Sequence, residues 1–351
     1  MSTGILSRAT DAFWGLVDPW LFMSLSASFL PRTVVSLFRT HSFVGALRVL
    51  LTPSRFREAW FGHFWGYAGP GVRENSELKV LPLLDGRVSD GRVVEAPTGP
   101  GVGGVVIEIG PGSGMWVEIF ADRHLHEGDD DNTVKGEGAN EEDSSALRER
   151  KQQQRRPSVT NNSEAAAKRR TKKKRANTAR TEITRVYGVE PNTSHHGALR
   201  RAVEAAGLED VYEIVPVGIE DLSCSSSSTS GNRNKWEGSI EPGTVDCIVS
   251  VLCLCSIPEP ERHIRELYEL LRPGGRWYVY EHVQCEYSWY MRLYQRIINL
   301  IWPYFIGGCE LCRQTEKTLT EAGHWTSINL GQPPAEPWYH PLPHILGVFT
   351  K

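Results

Sequence analysis

Residues 105–114 read Val-Val-Ile-Glu-Ile-Gly-Pro-Gly-Ser-Gly, an apolar run that passes directly into a glycine-rich turn. This pattern predicts a buried strand followed by a turn in which bare backbone can approach a nucleotide-like ligand. The dinucleotide-binding fingerprint GxGxxG would require a glycine where Met115 stands, so a nicotinamide or flavin ligand is disfavoured. The acidic Glu108 at the start of the motif favours S-adenosylmethionine instead.

Strand and helix patterns alternate through the rest of the chain. Besides the run at 105–109, strands are expected at 185–190, 211–217, 245–254 and 276–281, and helices at 198–206 and 261–271. This alternation is typical of a parallel, doubly wound α/β sheet of the Rossmann-like kind. The expected fold class is therefore α/β.

Composition separates three regions of the 351-residue chain. An apolar and aromatic helical segment covers 1–70, the sheet domain covers 71–124 and 181–351, and a charged insertion covers 125–180. The insertion has almost no large apolar residues, so it is predicted to be disordered, and a serine-rich stretch at 224–230 is predicted to be a second, shorter loop. The basic cluster of the insertion, at 168–175, is a candidate nuclear signal or a candidate contact with acidic membrane or RNA, and the alternative is a solvated loop. A net charge of −3 gives no global case for nucleic-acid binding.

The first 70 residues suit either a membrane interface or a helical cap. Asp18-Pro19 and Pro31-Arg32 interrupt the apolar runs, which are too short for a clear spanning helix of about 20 residues. Arginines at 32, 39, 48, 55 and 57 among apolar residues fit helices that lie in a membrane interface. A cap packed over the catalytic domain is the alternative, and both can hold together.

The cysteines predict reduced thiols and no metal centre. There are seven of them, scattered and often inside apolar runs, which favours a cytosol-facing protein over a disulfide framework. Cys309 and Cys312 form a CxxC pair, but no second pair or histidine pair accompanies it at zinc spacing. No metal site is therefore predicted.

The cofactor-binding residues follow from the order of the strands. Without the insertion, Glu190 follows the first glycine by about 24 residues, the spacing at which a βαβ unit places a carboxylate against ribose hydroxyls. Ile219 and Glu220 follow the third strand, where an adenine would lie, and Val251 and Leu252 end the fourth strand, opposite the methyl-donating sulfonium. The predicted cofactor-binding set is Glu108, Gly110, Gly112, Gly114, Glu190, Ile219, Glu220, Val251 and Leu252.

The order of these motifs, with Leu-Arg-Pro-Gly-Gly at 271–275 and Glu-His-Val at 281–283, resembles the class I S-adenosylmethionine-dependent methyltransferases. Within that class the chain is most similar to the methyltransferase-like 7 group of thiol methyltransferases, which is associated with endoplasmic reticulum and lipid droplets. The motifs that carry the closer resemblance are those at 67–70, 251–256, 281–283, 308–313 and 343–347.

The resemblance implies a seven-stranded sheet whose last strand, near 346–350, is antiparallel. It also implies methyl transfer to a small lipophilic acceptor, with thiol favoured over hydroxyl or amine, on the cytosolic face of a membrane or in the cytoplasm. His282 is the candidate catalytic residue, by assisting thiol deprotonation or by binding the acceptor; the alternative is a histidine that caps strand five. An apolar acceptor pocket, or else ordinary helix packing, is expected of Trp289, Tyr290, Trp302, Tyr304 and Phe305.

Two other functions remain open from the sequence. Similar sheets serve O- and N-methyltransferases of quinone, lipid or secondary-metabolite biosynthesis. A non-catalytic membrane scaffold that keeps the fold, with the charged insertion as its docking element, is the alternative from another class. Retention of the glycine turn together with Glu190 favours an enzyme over a scaffold.

Overall fold

The apolar run at 105–109 forms an interior strand of a seven-stranded sheet. In a computed structural model, residues 2–124, 182–222, 236–334, 336–337 and 339–351 are described; the predicted disordered insertion (125–180) and serine-rich loop (224–230) lie outside them. In chain order the strands are β1 (Val88–Ser89), β2 (Arg92–Val93), β3 (Gly104–Ile109), β4 (Ile183–Val189), β5 (Tyr212–Val215), β6 (Val245–Val251), β7 (Leu271–His282), β8 (Ser327–Gly331) and β9 (His344–Thr350). The helices are α1 (Ser2–Ser28), α2 (Leu30–Thr40), α3 (Phe43–Leu50), α4 (Pro53–Leu84), α5 (Val117–His124), α6 (Thr193–Ala206), α7 (Pro260–Leu270), α8 (Trp289–Asn299), α9 (Trp302–Phe305) and α10 (Thr315–Thr320).

The order of the main sheet is β5-β4-β3-β6-β7-β9-β8, and β1 and β2 form a separate hairpin. Strands β3 to β7 pair in parallel, whereas β9 is antiparallel to both β7 and β8. The chain runs outward from β3 to β5 and then returns to the other side of β3. This reversal leaves a crevice beyond the carboxyl end of β3, where ligands of open α/β sheets bind. The predicted α/β class and the antiparallel last strand are confirmed.

Each face of the sheet carries its own apolar core. Val106 faces a cluster with α5, α6 and the end of α4, whereas Ile107 and Ile109 face a cluster with α7 and α10. Successive strand residues point to opposite faces, so a strand that is apolar at every position is buried on both sides. This double burial fixes β3, and with it the position of the glycine turn that follows.

A third apolar cluster joins the N-terminal helices to the carboxyl end of the sheet. It contains Phe64 of α4 and Trp302 of α9, among others. Trp60 Nε1 donates to the Ser26 carbonyl at 2.7 Å, and the Ser26 hydroxyl donates to the Phe305 carbonyl at 2.7 Å. The N-terminal helices are therefore packed as a cap over the edge where ligands are expected.

Several element boundaries differ from the sequence-based prediction. Helix α1 continues through Pro19, and α4 runs from Pro53 to Leu84, across the expected boundary at residue 70. The Leu-Arg-Pro-Gly-Gly segment at 271–275 lies within β7. Val245 of β6 pairs with Leu271 and Cys247 pairs with Arg276, so the register of the two strands shifts across this segment. The helical stretch Thr10–Thr40 is long and apolar enough to cross a membrane, and 28% of its apolar 18-residue part is buried. The sequence predicted no clear spanning helix here, because the uninterrupted apolar runs are short. Buried helices of soluble proteins and signal sequences meet the same two criteria.

Candidate active site

A cavity of about 890 Å³ lies beyond the carboxyl ends of β3, β4 and β6, under the N-terminal helices. Its volume falls near the upper end of the range of ordinary small-molecule sites. Of the predicted cofactor-binding set, seven residues line it: Gly110, Gly112, Glu190, Ile219, Glu220, Val251 and Leu252. His282, at the end of β7, lines the cavity too. The structure thus brings most of the predicted site into one space.

Glu190 is held in place by the glycine turn. Its Oε2 accepts from the Gly112 N–H at 2.9 Å, and its Oε1 accepts from the Asn192 N–H at 2.8 Å. Gly112 has a φ of +57°, a backbone conformation that side chains disfavour and that aims its N–H at the carboxylate. Each carboxylate oxygen has further lone-pair capacity, so both can still accept from a pair of hydroxyl groups.

The electrostatics of Glu190 reflect its burial. Only 6% of the residue is exposed, and burial raises the pKa of its carboxyl to about 7, while nearby Glu58 adds to the rise. The N–H groups of Asn192 and Gly112 act in the opposite direction because they stabilise the ionised form. The carboxylate is thus close to its titration point near neutral pH.

Glu108 and Gly114, also predicted to bind the cofactor, lie outside the cavity lining. The buried Glu108 carboxylate accepts from the Tyr212 hydroxyl at 2.6 Å, below the turn, and burial raises its pKa to about 7. Gly114, at a φ of +86°, packs against α6 so closely that an added Cβ would lie 2.6 Å from the Ala202 methyl. Both residues shape the turn from beneath rather than line the ligand space.

The side of the cavity where an adenine is expected is formed by the residues after β5. Ile219 is buried, and the Glu220 carboxylate occupies the space into which a side chain at Gly218 would project. The acid on this side of the cavity therefore comes from Glu220, two residues after Gly218. His263 of α7 also lines this side, with its Nε2 3.9 Å from Glu220 Oε2; the sequence analysis did not single it out.

The loop after β6 is held by a carboxylate from β7. Leu252, which lines the cavity, has a φ of +54°, a strained conformation for a side chain with a Cβ. The fully buried Glu281 accepts from the N–H groups of Cys253 at 3.1 Å and Leu254 at 3.2 Å. These two hydrogen bonds fix the strained turn and hence the wall of the cavity where the sulfonium was expected.

The other half of the cavity is mainly apolar and lies under the N-terminal helices. Its apolar lining includes Leu21, Phe22, Leu25, Trp302, Ile306 and Leu342. Trp65 of α4 lies over the glycine turn instead, with its Nε1 3.8 Å from the position of a Cβ at Gly112, and Phe61 stacks on it. Of the five aromatic residues expected to form an acceptor pocket, only Trp302 lines the cavity. Trp289, Tyr290 and Tyr304 are exposed instead, because α8 and α9 turn those positions to the surface. The aromatic walls from α1 and α4 were missed, since nothing local in the sequence links them to the sheet.

His282 lies deep in the apolar half, beside two cysteines. Its Nε2 is 3.0 Å from Cys309 Sγ, and Cys255 completes the group. The cross-strand partner of His282 in β9 is His344, whose Nδ1 pairs with Glu336 at 2.6 Å. The sequence motifs that contain Cys255, Cys309 and His344 were identified. That these three residues lie beside His282 was not predicted.

These features fit S-adenosylmethionine. A carboxylate held by two backbone N–H groups suits a ribose, and the apolar Ile219 beside an acid suits an adenine. The glycine turn leaves bare backbone against the ligand space, and His282 lines the same cavity. The residues present thus match the group, with room for a second molecule.

Known proteins were then compared with the chain. A family model described as "Methyltransferase domain" matches residues 84–322. The human thiol S-methyltransferase TMT1A is 36% identical over 114 residues, which cover 32% of this chain and 46% of that protein. Human TMT1B is 34% identical over 110 residues, covering 31% and 45% respectively. The chain thus spans somewhat less than half the length of these relatives. The solved mitomycin 7-O-methyltransferase MmcR shares 14% identity with a TM-score of 0.44 over 92% of this chain and 67% of its own, too distant to bear on function.

Proposed function

Because the chain belongs to the methyltransferase domain family, with S-adenosylmethionine as its cofactor, we propose that it methylates the sulfur of small lipophilic thiols. One observation carries the proposal: a single cavity joins the glycine turn and Glu190 to an apolar half that contains His282. The names of the relatives TMT1A and TMT1B support sulfur as the methylated atom.

In the cofactor half, the chain's own residues bind and orient S-adenosylmethionine. Glu190 would hold the ribose hydroxyls, Ile219 and Glu220 the adenine, and Val251 and Leu252 the methionine end. When bound, the cofactor supplies a methyl group that is electrophilic because it is attached to a positively charged sulfur. The protein contributes to such a displacement mainly by alignment, which can be worth several kcal/mol.

In the acceptor half, the chain binds an apolar acceptor and handles its proton. The aromatic and aliphatic walls favour an apolar acceptor, and a poorly hydrated thiolate is the reactive nucleophile. His282 lines the cavity and would bind the acceptor sulfur or assist its deprotonation. It is buried, and its second ring nitrogen, Nδ1, has no hydrogen-bond partner among the described residues.

The test compares acceptors that differ only in the reacting atom. The full chain is incubated with methyl-labelled S-adenosylmethionine and hexanethiol, hexanol or hexylamine, and the products are identified by mass spectrometry. We expect S-methylation at least ten times faster than O- or N-methylation, because near neutral pH a thiol ionises far more readily than an alcohol, while an alkylamine is protonated and has no free electron pair to react. Methylation of the alcohol or amine alone would contradict the choice of sulfur. Failure of all acceptors, without cofactor binding, would contradict an enzymatic role.

The same proposal places the N-terminal helices at the cytosolic face of a membrane, such as endoplasmic reticulum or lipid droplet. Arg32, Arg39 and Arg48 are exposed among large apolar side chains. Among the side chains that the structure describes in this segment, from residue 10 onward, the large exposed apolar ones are Phe13, Trp14, Trp20, Leu21, Leu25, Val35, Phe38, Phe43, Val44, Leu47, Leu51 and Tyr67. Cationic and apolar groups on one surface suit anionic lipid, and the apolar half of the cavity lies directly beneath these helices.

Replacing Phe43 and Val44 together by serine is expected to weaken binding to anionic vesicles at least tenfold. The two side chains are 69% and 68% exposed, so their loss removes apolar contact with lipid without opening the core. Vesicle flotation with phosphatidylserine-containing liposomes measures the effect. The matched control is Leu78→Ser, since Leu78 is 81% exposed on α4 outside this segment. Equal loss in the control, or no vesicle binding by the unaltered chain, would contradict a membrane interface.

A further inference from the structure

Three potential metal ligands converge in the apolar half of the cavity. Cys255, His282 and Cys309 each offer one ligand atom, and these atoms all lie within 4.8 Å of one another. They come from the turn after β6, the end of β7 and the loop after α9. All three are at least nine-tenths buried and all three line the cavity.

Backbone contacts hold the three ligands together. The Glu310 N–H donates to the Cys255 carbonyl at 3.0 Å, which ties the loop that carries Cys309 to the end of β6. Asn299 braces the same loop, since its Oδ1 accepts from the Leu311 N–H at 2.7 Å. His282 is fixed by its place in β7. The group is therefore preorganised by elements distant in sequence.

We propose that Cys255, His282 and Cys309 bind a zinc ion whose fourth position is open to the acceptor thiol. The proposal rests on the proposed function for the identity of the acceptor. Two cysteines and one histidine form a set that zinc uses in catalytic sites, with the remaining position left for water or substrate.

The geometry and the charge both suit zinc. Zinc–sulfur distances near 2.3 Å and zinc–nitrogen distances near 2.0 Å place tetrahedral ligand atoms roughly 3.5–3.8 Å apart, so modest side-chain shifts suffice. Two thiolates neutralise a divalent ion, which avoids an unpaired charge in an apolar cavity. Thiolate and imidazole ligands also disfavour magnesium and calcium, which prefer oxygen.

The site would act on the acceptor's proton. When the acceptor thiol takes the open position, its S–H bond breaks, the proton passes to solvent water, and the sulfur keeps both electrons as it bonds to the metal. A thiol that coordinates zinc is deprotonated at neutral pH. His282 then acts as a ligand rather than as a base, and the preference of the site for sulfur over hydroxyl or amine follows from the softness of its ligands.

The CxxC pattern supplies a matched control. Cys312 is three residues from Cys309 but does not line the cavity and is not part of the cluster. The full chain without a polyhistidine tag is purified from zinc-supplemented cells, and its zinc content is measured by mass spectrometry. We expect about one zinc ion per chain in the unaltered protein and in Cys312→Ser, and a zinc content at least tenfold lower in Cys255→Ser, His282→Gln and Cys309→Ser. Binding of S-adenosylmethionine by each variant verifies that it has folded.

Cobalt substitution tests the open position without any enzymatic assay. Cobalt(II) in a site with two thiolates gives intense visible and near-ultraviolet bands, and hexanethiol is expected to change them whereas hexanol leaves them unaltered. Zinc retained in all three cluster variants, absence of zinc and cobalt binding in the unaltered chain, or a Cys255–Cys309 disulfide would each overturn the proposal. Thiol methylation by a metal-free chain would overturn the role of zinc but leave the proposed function standing. Zinc binding by a chain that methylates no thiol would support the zinc site but contradict the proposed function.

Discussion

Replacing Glu190 with alanine is expected to weaken S-adenosylmethionine binding about 100-fold, because hydrogen bonds to a charged group contribute roughly 1.5–3 kcal/mol each. The substitution removes the carboxylate that faces the cavity and that braces the glycine turn through the Gly112 N–H. Isothermal titration of the folded variant measures the effect. Glu209→Ala is the control, since Glu209 is an exposed acid outside the cavity.

The affinity should also depend on pH through the same group. Burial raises the pKa of Glu190 to about 7, so the carboxylate is mostly protonated at pH 6 and mostly ionised at pH 8. Only the ionised form accepts hydrogen bonds with both oxygens, so affinity is expected to rise about tenfold between these values. Burial lowers the pKa of the neighbouring His195 to about 4, so that ring stays neutral throughout.

Glu190→Gln separates the pH effect from the loss of contact. Its amide has a single acceptor oxygen and does not titrate, so its affinity should be intermediate and constant from pH 6 to 8. Titration by a different group would leave the same pH dependence in the glutamine variant. Unchanged affinity in Glu190→Ala would exclude Glu190 as the ribose ligand.

The cofactor half could be predicted from sequence because its determinants are local. A strand buried on both faces is continuously apolar, and the turn at 110–114 follows it directly. Glu190 was found across a long insertion because the length of a βαβ unit constrains its spacing. Local pattern was not sufficient for Glu108. The motif predicted that this acid binds the ligand, whereas in the structure its carboxylate accepts a hydrogen bond from Tyr212, 104 residues farther along the chain.

The acceptor half could not be predicted, because it is built by contacts between distant segments. Walls from α1 and α4 meet the sheet only through tertiary packing. The CxxC pattern directed attention to Cys312, although the neighbours of Cys309 in space are Cys255 and His282. Metal-ligand spacing in a sequence detects sites within one loop or helix and misses those assembled from three elements. The expectation of no metal site therefore rested on local spacing alone.

Replacing Glu281 with alanine is expected to lower the free energy of unfolding by about 4 kcal/mol. The carboxylate is fully buried, and its removal leaves the N–H groups of Cys253 and Leu254 without their acceptor. Each buried donor that loses its partner costs roughly 1–3 kcal/mol. The turn at Leu252, with its φ of +54°, would also lose the contacts that hold it in a strained conformation. Urea denaturation followed by circular dichroism measures the change.

Two further variants identify the cause of this loss. Glu281→Gln keeps one acceptor oxygen, so about half of the destabilisation is expected, whereas the exposed Glu286→Ala should alter stability by less than about 0.5 kcal/mol. Adding Leu252→Gly to Glu281→Ala should recover about 1 kcal/mol, because glycine adopts positive φ without strain. If the carboxylate merely fills space, glutamine would restore full stability and the glycine would destabilise further. The turn at Leu252 would then be held by packing and by the hydrogen bond that the Leu252 N–H donates to the Tyr280 carbonyl at 2.9 Å.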